Sequence, residues 1–226
     1  MKKLLVISPH PDDEVLGAGG ILLKAKKKGF KTKVLTISTN FPEPITKKRL
    51  DISLKESKQA HKILKVDKSV YFNIPTLTLS RQSIPNLTSK ISYEIKQFNP
   101  EIVIIPFPDR HQDHKLVFDL CMTVTRPKSS AKNIKIVACM EIPSATYYSA
   151  PSIEQNFYPN WNIDISDNIK NKAKALTKYK TTLSKNEYAR SKKAIYSLAS
   201  FRGSQVNFKY AESFYIVRMQ SEKSII

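Results

Sequence analysis

Residues Lys3–Gly20 read KLLVISPHPDDEVLGAGG, and two structural signals follow each other within this stretch. The run Lys3–Ser8 is short and apolar, which predicts a buried β-strand. Three acidic residues come next, and an apolar segment with Leu16 and Ile21–Leu23 then continues to Gly29, which predicts a helix that stops there. A strand followed at once by a helix is the first unit of an alternating α/β chain.

The same alternation continues along the chain. Further strands are predicted over Lys33–Ser38, Val70–Phe72, Glu101–Pro106, Lys135–Met140 and Ser213–Met219, and helices over Arg49–Lys65, Ile84–Phe98, Leu116–Val124, Ile169–Thr181 and Glu187–Phe201. An irregular aromatic stretch is expected between Pro143 and Trp161. The pattern favours an α/β fold with a mostly parallel central sheet flanked by helices. The sequence contains no internal repeat, and no linker divides it into two domains. Residues 1–226 are therefore expected to form a single domain.

The composition excludes several classes of protein. Of the 226 residues 41 % are hydrophobic, which is enough for a sizeable core and excludes a disordered chain. No apolar run approaches the roughly 20 residues of a membrane helix. The run Leu4–Ile7 is also far shorter than the roughly 7–15 residues of a signal-peptide core. We therefore expect a soluble, cytoplasmic protein with no transmembrane segment.

The formal net charge of +19 invites a nucleic-acid interpretation. Two observations weaken it. Only seven of the 38 basic residues are arginine, the usual residue for bidentate contacts with bases and phosphates. The lysines are also spread along the chain, and the densest run, Lys24–Lys28, lies at the end of a predicted helix, where cations suit the helix dipole. An anionic small substrate or a nearby anionic surface accounts for the same charge, and no specific nucleic acid is expected as a partner.

Three of the four histidines lie in two compact acidic clusters, Ser8–Glu14 (SPHPDDE) and Asp109–His114 (DRHQDH). Each cluster follows a predicted strand, and ligands of open α/β sheets bind outside the carboxyl ends of the strands. A catalytic zinc ion typically takes three protein ligands and leaves one position open for water. His10 and Asp13, together with a histidine of the second cluster, supply such a set.

A purely structural explanation of these residues competes with the metal site. The acidic run Asp12–Glu14 can cap the following helix, where negative charge is favoured, and His111 and His114 can be ordinary loop histidines. His61 lies on a predicted helix among lysines and is expected to be solvated or half-buried. The segment Gly17–Gly20 is only a partial glycine-rich loop beyond the acidic residues, which argues against a dinucleotide site.

Taken together, the motifs resemble the PIG-L/LmbE-like N-acetylglucosaminyl deacetylases, and the likeness spans nearly the whole chain. The segments that carry it are Pro9–Glu14 (PHPDDE), Leu16–Gly20 (LGAGG), His111–His114 (HQDH), Glu141–Thr146 (EIPSAT), Phe157–Asn160 (FYPN) and Tyr210–Phe214 (YAESF). The two metal motifs, each after a strand and in this order, are the specific part of the resemblance. It implies a zinc-dependent amide hydrolase on a Rossmann-like, three-layer fold.

The resemblance also implies a role for individual residues. The metal ligands are His10, Asp13 and His114. Asp12 matches the general base of the family. His111 matches the histidine that stabilises the oxyanion, expected to work in its protonated form, and Asp113 matches the acid that orients it.

The implied substrate contacts include one departure from the family pattern. The family often has an arginine three residues before the glutamate matched by Glu56, and here Ser53 stands in that position. Arg49, one helical turn earlier, is expected to substitute for it. Glu141 and Ser144 are the other candidate substrate contacts.

The expected reaction is therefore removal of the acetyl group from an N-acetylglucosaminyl-type amino sugar, giving a free amine and acetate. Zn²⁺ is the expected cofactor, with other divalent metals as alternatives. The sugar can be free, anionic, or linked to a nucleotide or lipid, and a homo-oligomer is compatible with the sequence. A basic nucleic-acid-binding protein and a non-catalytic carbohydrate-binding protein are the alternatives, and the complete set of metal and base residues favours an enzyme.

Overall fold

The structure is a computed structural model that describes residues 1–39, 41–127, 131–148, 150, 153–185 and 187–220. Within these ranges seven strands form one sheet, accompanied by six α-helices. The strands are β1 (Lys3–Ser8), β2 (Lys31–Ser38), β3 (Lys68–Ile74), β4 (Ile102–Pro106), β5 (Ile136–Met140), β6 (Trp161–Asp164) and β7 (Ala211–Met219). The helices are α1 (Asp13–Lys27), α2 (Lys47–Leu64), α3 (Ile84–Phe98), α4 (Gln112–Val124), α5 (Ile169–Leu176) and α6 (Lys192–Ser204). The expected single domain, 1–226, includes the remaining residues, which lie outside the described ranges.

The strand order in the sheet is β3-β2-β1-β4-β5-β7-β6. Strands β1 to β5 pair in parallel, and β7 then runs antiparallel to both β5 and β6. The chain moves outward from β1 to β3 and afterwards starts again at β4, on the other side of β1. Ligand sites of open α/β sheets lie in the crevice at such a reversal of strand order. The predicted fold class, a mostly parallel sheet between helical layers, is confirmed.

The two faces of the sheet bury separate cores, which β1 illustrates best. Leu4 and Val6 point to the face covered by α1, α2, α5 and α6, whereas Leu5 and Ile7 point to the face covered by α3 and α4. This alternation follows from the twofold side-chain period of a strand. Because helices cover both faces, β1 is apolar along its length.

Two glycines of the helix after β1 serve close packing. A Cβ at Gly20 would lie 2.4 Å from Ile165 Cγ2, and one at Gly17 would lie 2.8 Å from the side chain of Met140. In the same helix, the backbone N–H of Gly20 donates to the carboxylate of Glu212, a residue of β7, at 2.6 Å. The glycines therefore bring α1 against the sheet and do not form a phosphate-binding loop.

Several predicted elements needed correction at their boundaries. The stretch expected to be irregular ends where β6 begins, at Trp161; β6 is a four-residue strand that alternates apolar and polar residues and pairs with β7 at the edge of the sheet. The last helix begins at Lys192 and not at Glu187, because the hydroxyl of Ser191 accepts the N–H of Ala194 and caps the helix there. None of the helices in the described part of the chain has the length and hydropathy of a membrane span.

Candidate active site

The turn after β1 places Asp12 and Asp13 in different directions. Asp12 has φ 95° and ψ −29°, a left-handed conformation that is uncommon for residues other than glycine. It is the N-cap of α1, but its side chain makes no capping hydrogen bond, so the capping explanation is wrong for this residue. Instead, the carboxylate of Glu14 accepts the N–H of Asp12 at 3.1 Å. Strained backbone of this kind is concentrated at functional sites.

Asp13 lies between two histidines that are about a hundred positions apart in the chain. Its Oδ2 atom is 3.2 Å from Nδ1 of His10 and 3.3 Å from Nε2 of His114. All three side chains are buried. His114 lies in the first turn of α4, which begins earlier than predicted, so it is a helix residue and not a loop residue.

The outer nitrogens of the same two histidines face a second pair of carboxylates. Nε2 of His10 is 2.9 Å from Oδ2 of Asp113, and Nδ1 of His114 is 2.9 Å from Oδ2 of Asp109. The hydroxyl of Thr76 lies 3.2 Å from the Asp113 carboxylate and 3.1 Å from His10 Nε2. Carboxylates behind histidines are typical of metal centres, because they set the orientation and the tautomer of each ring.

The described residues fit a metal ion. Oδ1 of Asp13 is buried without a hydrogen-bond partner, although its other oxygen faces two imidazoles. Ring nitrogens of His10, His111 and His114 also lie within 4.8 Å of one another. Imidazole nitrogens and a carboxylate oxygen are donors that zinc and related cations take in catalytic sites.

The pKa values of Asp13 and His114, two of the residues that could hold a metal, are shifted by their charged neighbours. Burial alone would lower the pKa of His114, but Asp13 and Asp109 outweigh it and raise the value to about 10. Burial would also raise the pKa of Asp13, but His114 and His10 hold it well below its usual range. Because metal ligands must be deprotonated, a cation bound at Asp13 would take the place of the proton on His114.

Asp12 experiences the opposite balance. It is fully buried, and burial raises the pKa of its carboxyl to about 7, against the lowering influence of Arg190. Nε of Arg190 lies 3.1 Å from Oδ2 of Asp12. A carboxylate that is poised near neutrality beside a strongly acidic one is the arrangement expected for a general base next to a metal ligand.

A buried polar network lies behind Asp12. The hydroxyl of Tyr179 donates to Oε1 of Glu14 at 2.5 Å, and Nε2 of His61 lies 3.3 Å from the same oxygen. His61 is only 3 % exposed, and its Nδ1 atom lies 2.7 Å from the hydroxyl of Ser69. The expectation that His61 is solvated or half-buried was therefore wrong, since its helix turns this face towards the core.

His111 and Asp113 are arranged differently from the expectation. The carboxylate of Asp113 contacts His10 and does not accept a proton from His111. It is the backbone N–H of Asp113 that donates to Nδ1 of His111, at 3.2 Å, so His111 caps α4. Burial, together with His10 and His114, lowers the pKa of His111 to about 4, which makes its protonated form a minor species at neutral pH.

The remaining predicted residues contact other parts of the chain. Arg49 is exposed at the start of α2, with its guanidinium 5.6 Å from the ring centre of Phe41. Glu141 is buried and accepts hydrogen bonds from Arg202 at 2.7 and 3.1 Å. Oγ of Ser144 is buried without a hydrogen-bond partner. Ser53, where the family often has arginine, is also buried.

Sequence reasoning missed three contributors to the site. They are Arg190 beside Asp12, Tyr179 behind Glu14, and Thr76 beside His10. Asp109 was part of a quoted cluster but was given no role. Arg190, Tyr179 and Thr76 lie outside the sequence motifs, and only the fold brings them next to Asp12, Glu14 and His10.

Comparison with known proteins identifies the family. A family model described as GlcNAc-PI de-N-acetylase, PIG-L, matches residues 5–125. The chain belongs to the PIG-L family. This confirms the resemblance drawn from the motifs and makes the protein an N-deacetylase, a hydrolase of amide bonds.

Individual relatives agree with this family membership. The chain is 29 % identical over 166 residues to YaiS of Escherichia coli, an uncharacterized deacetylase, covering 70 % of this chain and 79 % of that one. It is 24 % identical over 232 residues to the diacetylchitobiose deacetylase of Thermococcus kodakarensis, covering 96 % and 84 %. The structure of N,N'-diacetylchitobiose deacetylase from Pyrococcus horikoshii aligns with a TM-score of 0.76 at 22 % identity, over 96 % and 84 % of the chains, and shows the shared fold.

Proposed function

We propose that this PIG-L family protein is a zinc-dependent hydrolase that removes the acetyl group from an N-acetylglucosaminyl-type amino sugar. The observation that carries the proposal is the pair of adjacent aspartates. Asp13 lies between two histidines, and Asp12 is fully buried next to it with Arg190 at 3.1 Å. His10, Asp13 and His114 would hold the metal. When it is bound, zinc acts as a Lewis acid towards the acetyl carbonyl and makes water more acidic.

Asp12 carries the proton transfers in this proposal. It takes a proton from the attacking water, whose oxygen forms a bond with the acetyl carbon. It then returns the proton to the nitrogen as the C–N bond breaks, so that the products are a free amine and acetate. Burial raises the pKa of Asp12 above its usual value, which helps the carboxylate to accept the proton of water in the first step.

His111 stabilises the oxyanion as a neutral imidazole. Its lowered pKa keeps it neutral at pH 7, and its Nδ1 atom accepts the N–H of Asp113. The ring proton of the neutral form therefore sits on Nε2, which leaves an N–H free to donate to a developing negative charge. Asp113 contributes by holding His10.

The net charge of the protein is the basis for a proposal about the kind of sugar substrate. A net charge of +19 exceeds what a neutral monosaccharide requires, so we propose an anionic substrate or one presented near an anionic surface, such as a nucleotide- or lipid-linked sugar. Arg49 and Ser144 are proposed as contacts with it. Such steering weakens as salt shortens the Debye length to about 10 Å at 0.1 M. We expect kcat/KM to fall with ionic strength, and a flat profile would separate the charge from substrate capture.

The decisive experiment is a substrate panel. The zinc-loaded protein is incubated with free, phosphorylated, nucleotide-linked and lipid-linked N-acetylglucosaminyl compounds, and released acetate is measured. The control is Asp12→Asn, which keeps the shape of the side chain and removes the base. Acetate release by the native protein and not by the variant supports the proposal. Equal release by both proteins, or none from any compound, contradicts it.

A further inference from the structure

Arg190 connects the protein surface with a fully buried carboxylate. It lies between α5 and α6. Its side chain is 36 % exposed to solvent, whereas the side chain of Asp12 is fully buried. The two side chains meet at 3.1 Å, between Nε of Arg190 and Oδ2 of Asp12. Neither carboxylate oxygen of Asp12 has a hydrogen bond of good geometry. Nε of Arg190 is likewise without a hydrogen bond of good geometry, so the contact is a charge pair, and the hydroxyl of Thr182 is a further polar neighbour of Asp12. Among the described contacts, Arg190 is the cationic partner of this carboxylate.

The backbone around Arg190 is held in place on both sides. Its carbonyl accepts the N–H of Ser184 at 2.8 Å, and the next residue, Ser191, caps α6. Earlier in the same segment, the hydroxyl of Thr181 donates to Glu56 of α2 at 2.6 Å. The guanidinium thus starts from a backbone fixed by two helices, so the fold itself places it against Asp12.

The other arginines of the described chain have different partners. Arg81 pairs with Glu43 at the surface, Arg110 with Glu154, and Arg202 with Glu141. Among the described contacts, Arg190 is the arginine that touches one of the two adjacent aspartates. A surface arginine that pairs with a buried, strained residue of the site has a more specific role than solubility.

We propose that Arg190 is a positioning residue for deacetylation, which orients the Asp12 carboxylate towards the water it deprotonates. The inference rests on the proposed role of Asp12 as general base. The terminal torsion of an aspartate is broad, so a carboxylate with few hydrogen bonds rotates unless a charged partner restrains it. Proton transfer requires hydrogen-bond geometry, and a displacement of about 1 Å can cost about a hundredfold in rate.

The kinetic test uses Arg190→Ala with Arg81→Ala as the matched control. With the best substrate of the panel, we expect kcat of Arg190→Ala to fall about 10–100-fold while KM stays within about threefold. Zinc content should match that of the native protein, and a cooperative thermal transition should show that the variant is folded. Free guanidinium at millimolar concentration should restore part of kcat in Arg190→Ala, and should leave Arg81→Ala and Asp12→Asn unchanged.

Three kinetic results would overturn the inference. One is a kcat of Arg190→Ala within about twofold of the native value. Another is a higher KM with unchanged kcat, which would make Arg190 a substrate contact. The third is a loss of kcat that guanidinium does not restore, which would indicate a structural defect.

A second measurement does not depend on activity. Phenylglyoxal modifies accessible guanidinium groups, and peptide mass spectrometry gives the rate at each arginine. Asp12→Asn removes the charged partner, so we expect Arg190 to react several-fold faster in this variant than in the native protein, with Arg81 unchanged. Equal rates at Arg190 in both proteins would contradict the contact. A panel without any substrate would contradict the proposed function, while the labelling rates would still decide on the contact.

Discussion

Asp12 and Asp13 are identical side chains on consecutive residues, yet the fold gives them opposite surroundings. Asp13 lies between His10 and His114, which hold its pKa well below the usual range. Asp12 is buried, Arg190 is its ion-pair partner among the described residues, and burial raises its pKa to about 7. In the proposed mechanism this difference makes Asp13 the metal ligand and Asp12 the base, because each carboxylate takes its role from what it faces.

The two sides are also built from different parts of the chain. The Asp13 side comes from the segments that directly follow β1 and β4, where the motifs lie. The Asp12 side depends on Tyr179 and Arg190, which follow α5 and are more than 160 positions away in sequence.

The largest effects are expected when the same substitution is made at Asp12 and at Asp13, which tests whether the two residues have different roles. Asp13→Asn should lose bound zinc and all zinc-dependent activity, because an amide is a poorer ligand than a carboxylate. Asp12→Asn should keep zinc and lose about 10²–10⁴-fold in kcat, the usual worth of a general base. Elemental analysis beside kcat checks both variants. Equal zinc loss in the two would mean that both aspartates are ligands.

His111, the N-cap of α4, and His114, in the first turn of α4, offer the next test. His114→Ala should lose zinc, because His114 faces Asp13 directly. His111→Ala should keep zinc and lose roughly 10²–10³-fold in kcat, the usual effect of removing one oxyanion donor. The variants are compared by metal content and by kcat. The reversed pattern, with zinc lost only from His111→Ala, would make His111 the third ligand.

The pH dependence sharpens the Asp12 side of the comparison. A general base works only when ionised, so activity should fall as pH decreases through the pKa of Asp12. Arg190 lowers that pKa, and its removal should raise it. The acidic limb of kcat against pH should therefore move to higher pH in Arg190→Ala than in the native enzyme. The comparison is made between two zinc-loaded proteins, since a cation beside Asp13 also lowers the value in both. If the acidic limb does not move, it reports the ionisation of a group other than Asp12.

The smallest effect is expected from the network behind Asp12. Tyr179→Phe removes the hydroxyl that donates to Glu14 and leaves a buried carboxylate with one partner fewer. Such a loss typically costs about 1–3 kcal/mol in the free energy of unfolding. Urea denaturation measures it, with Tyr93→Phe, an exposed tyrosine, as the control. Similar changes in both variants would show that the network does not stabilise the site.

Much of the fold was predictable because its signals are local. The strand Lys3–Ser8 and the helix Ile84–Phe98 agree with the structure at both ends; an apolar run marks the strand, and the sequence Asn99-Pro100 marks the end of the helix. The strand β6 was missed because it is short and depends on pairing with β7. Likewise, His61 looked like a solvated helix residue among lysines, and only the packing of α2 against the sheet buries it.

The sequence by itself determined the alternation of strands and helices, and with it the meeting of the two histidine-containing segments at the carboxyl ends of β1 and β4. Hydrophobic periodicity specifies the elements, and a parallel sheet brings such strand ends to one edge. Only the tertiary structure decided which nitrogen of each histidine faces Asp13, why His111 is neutral, and that Arg190 reaches Asp12. The physical reason is that burial and charge pairing act over a few ångströms in space between residues that the chain keeps far apart.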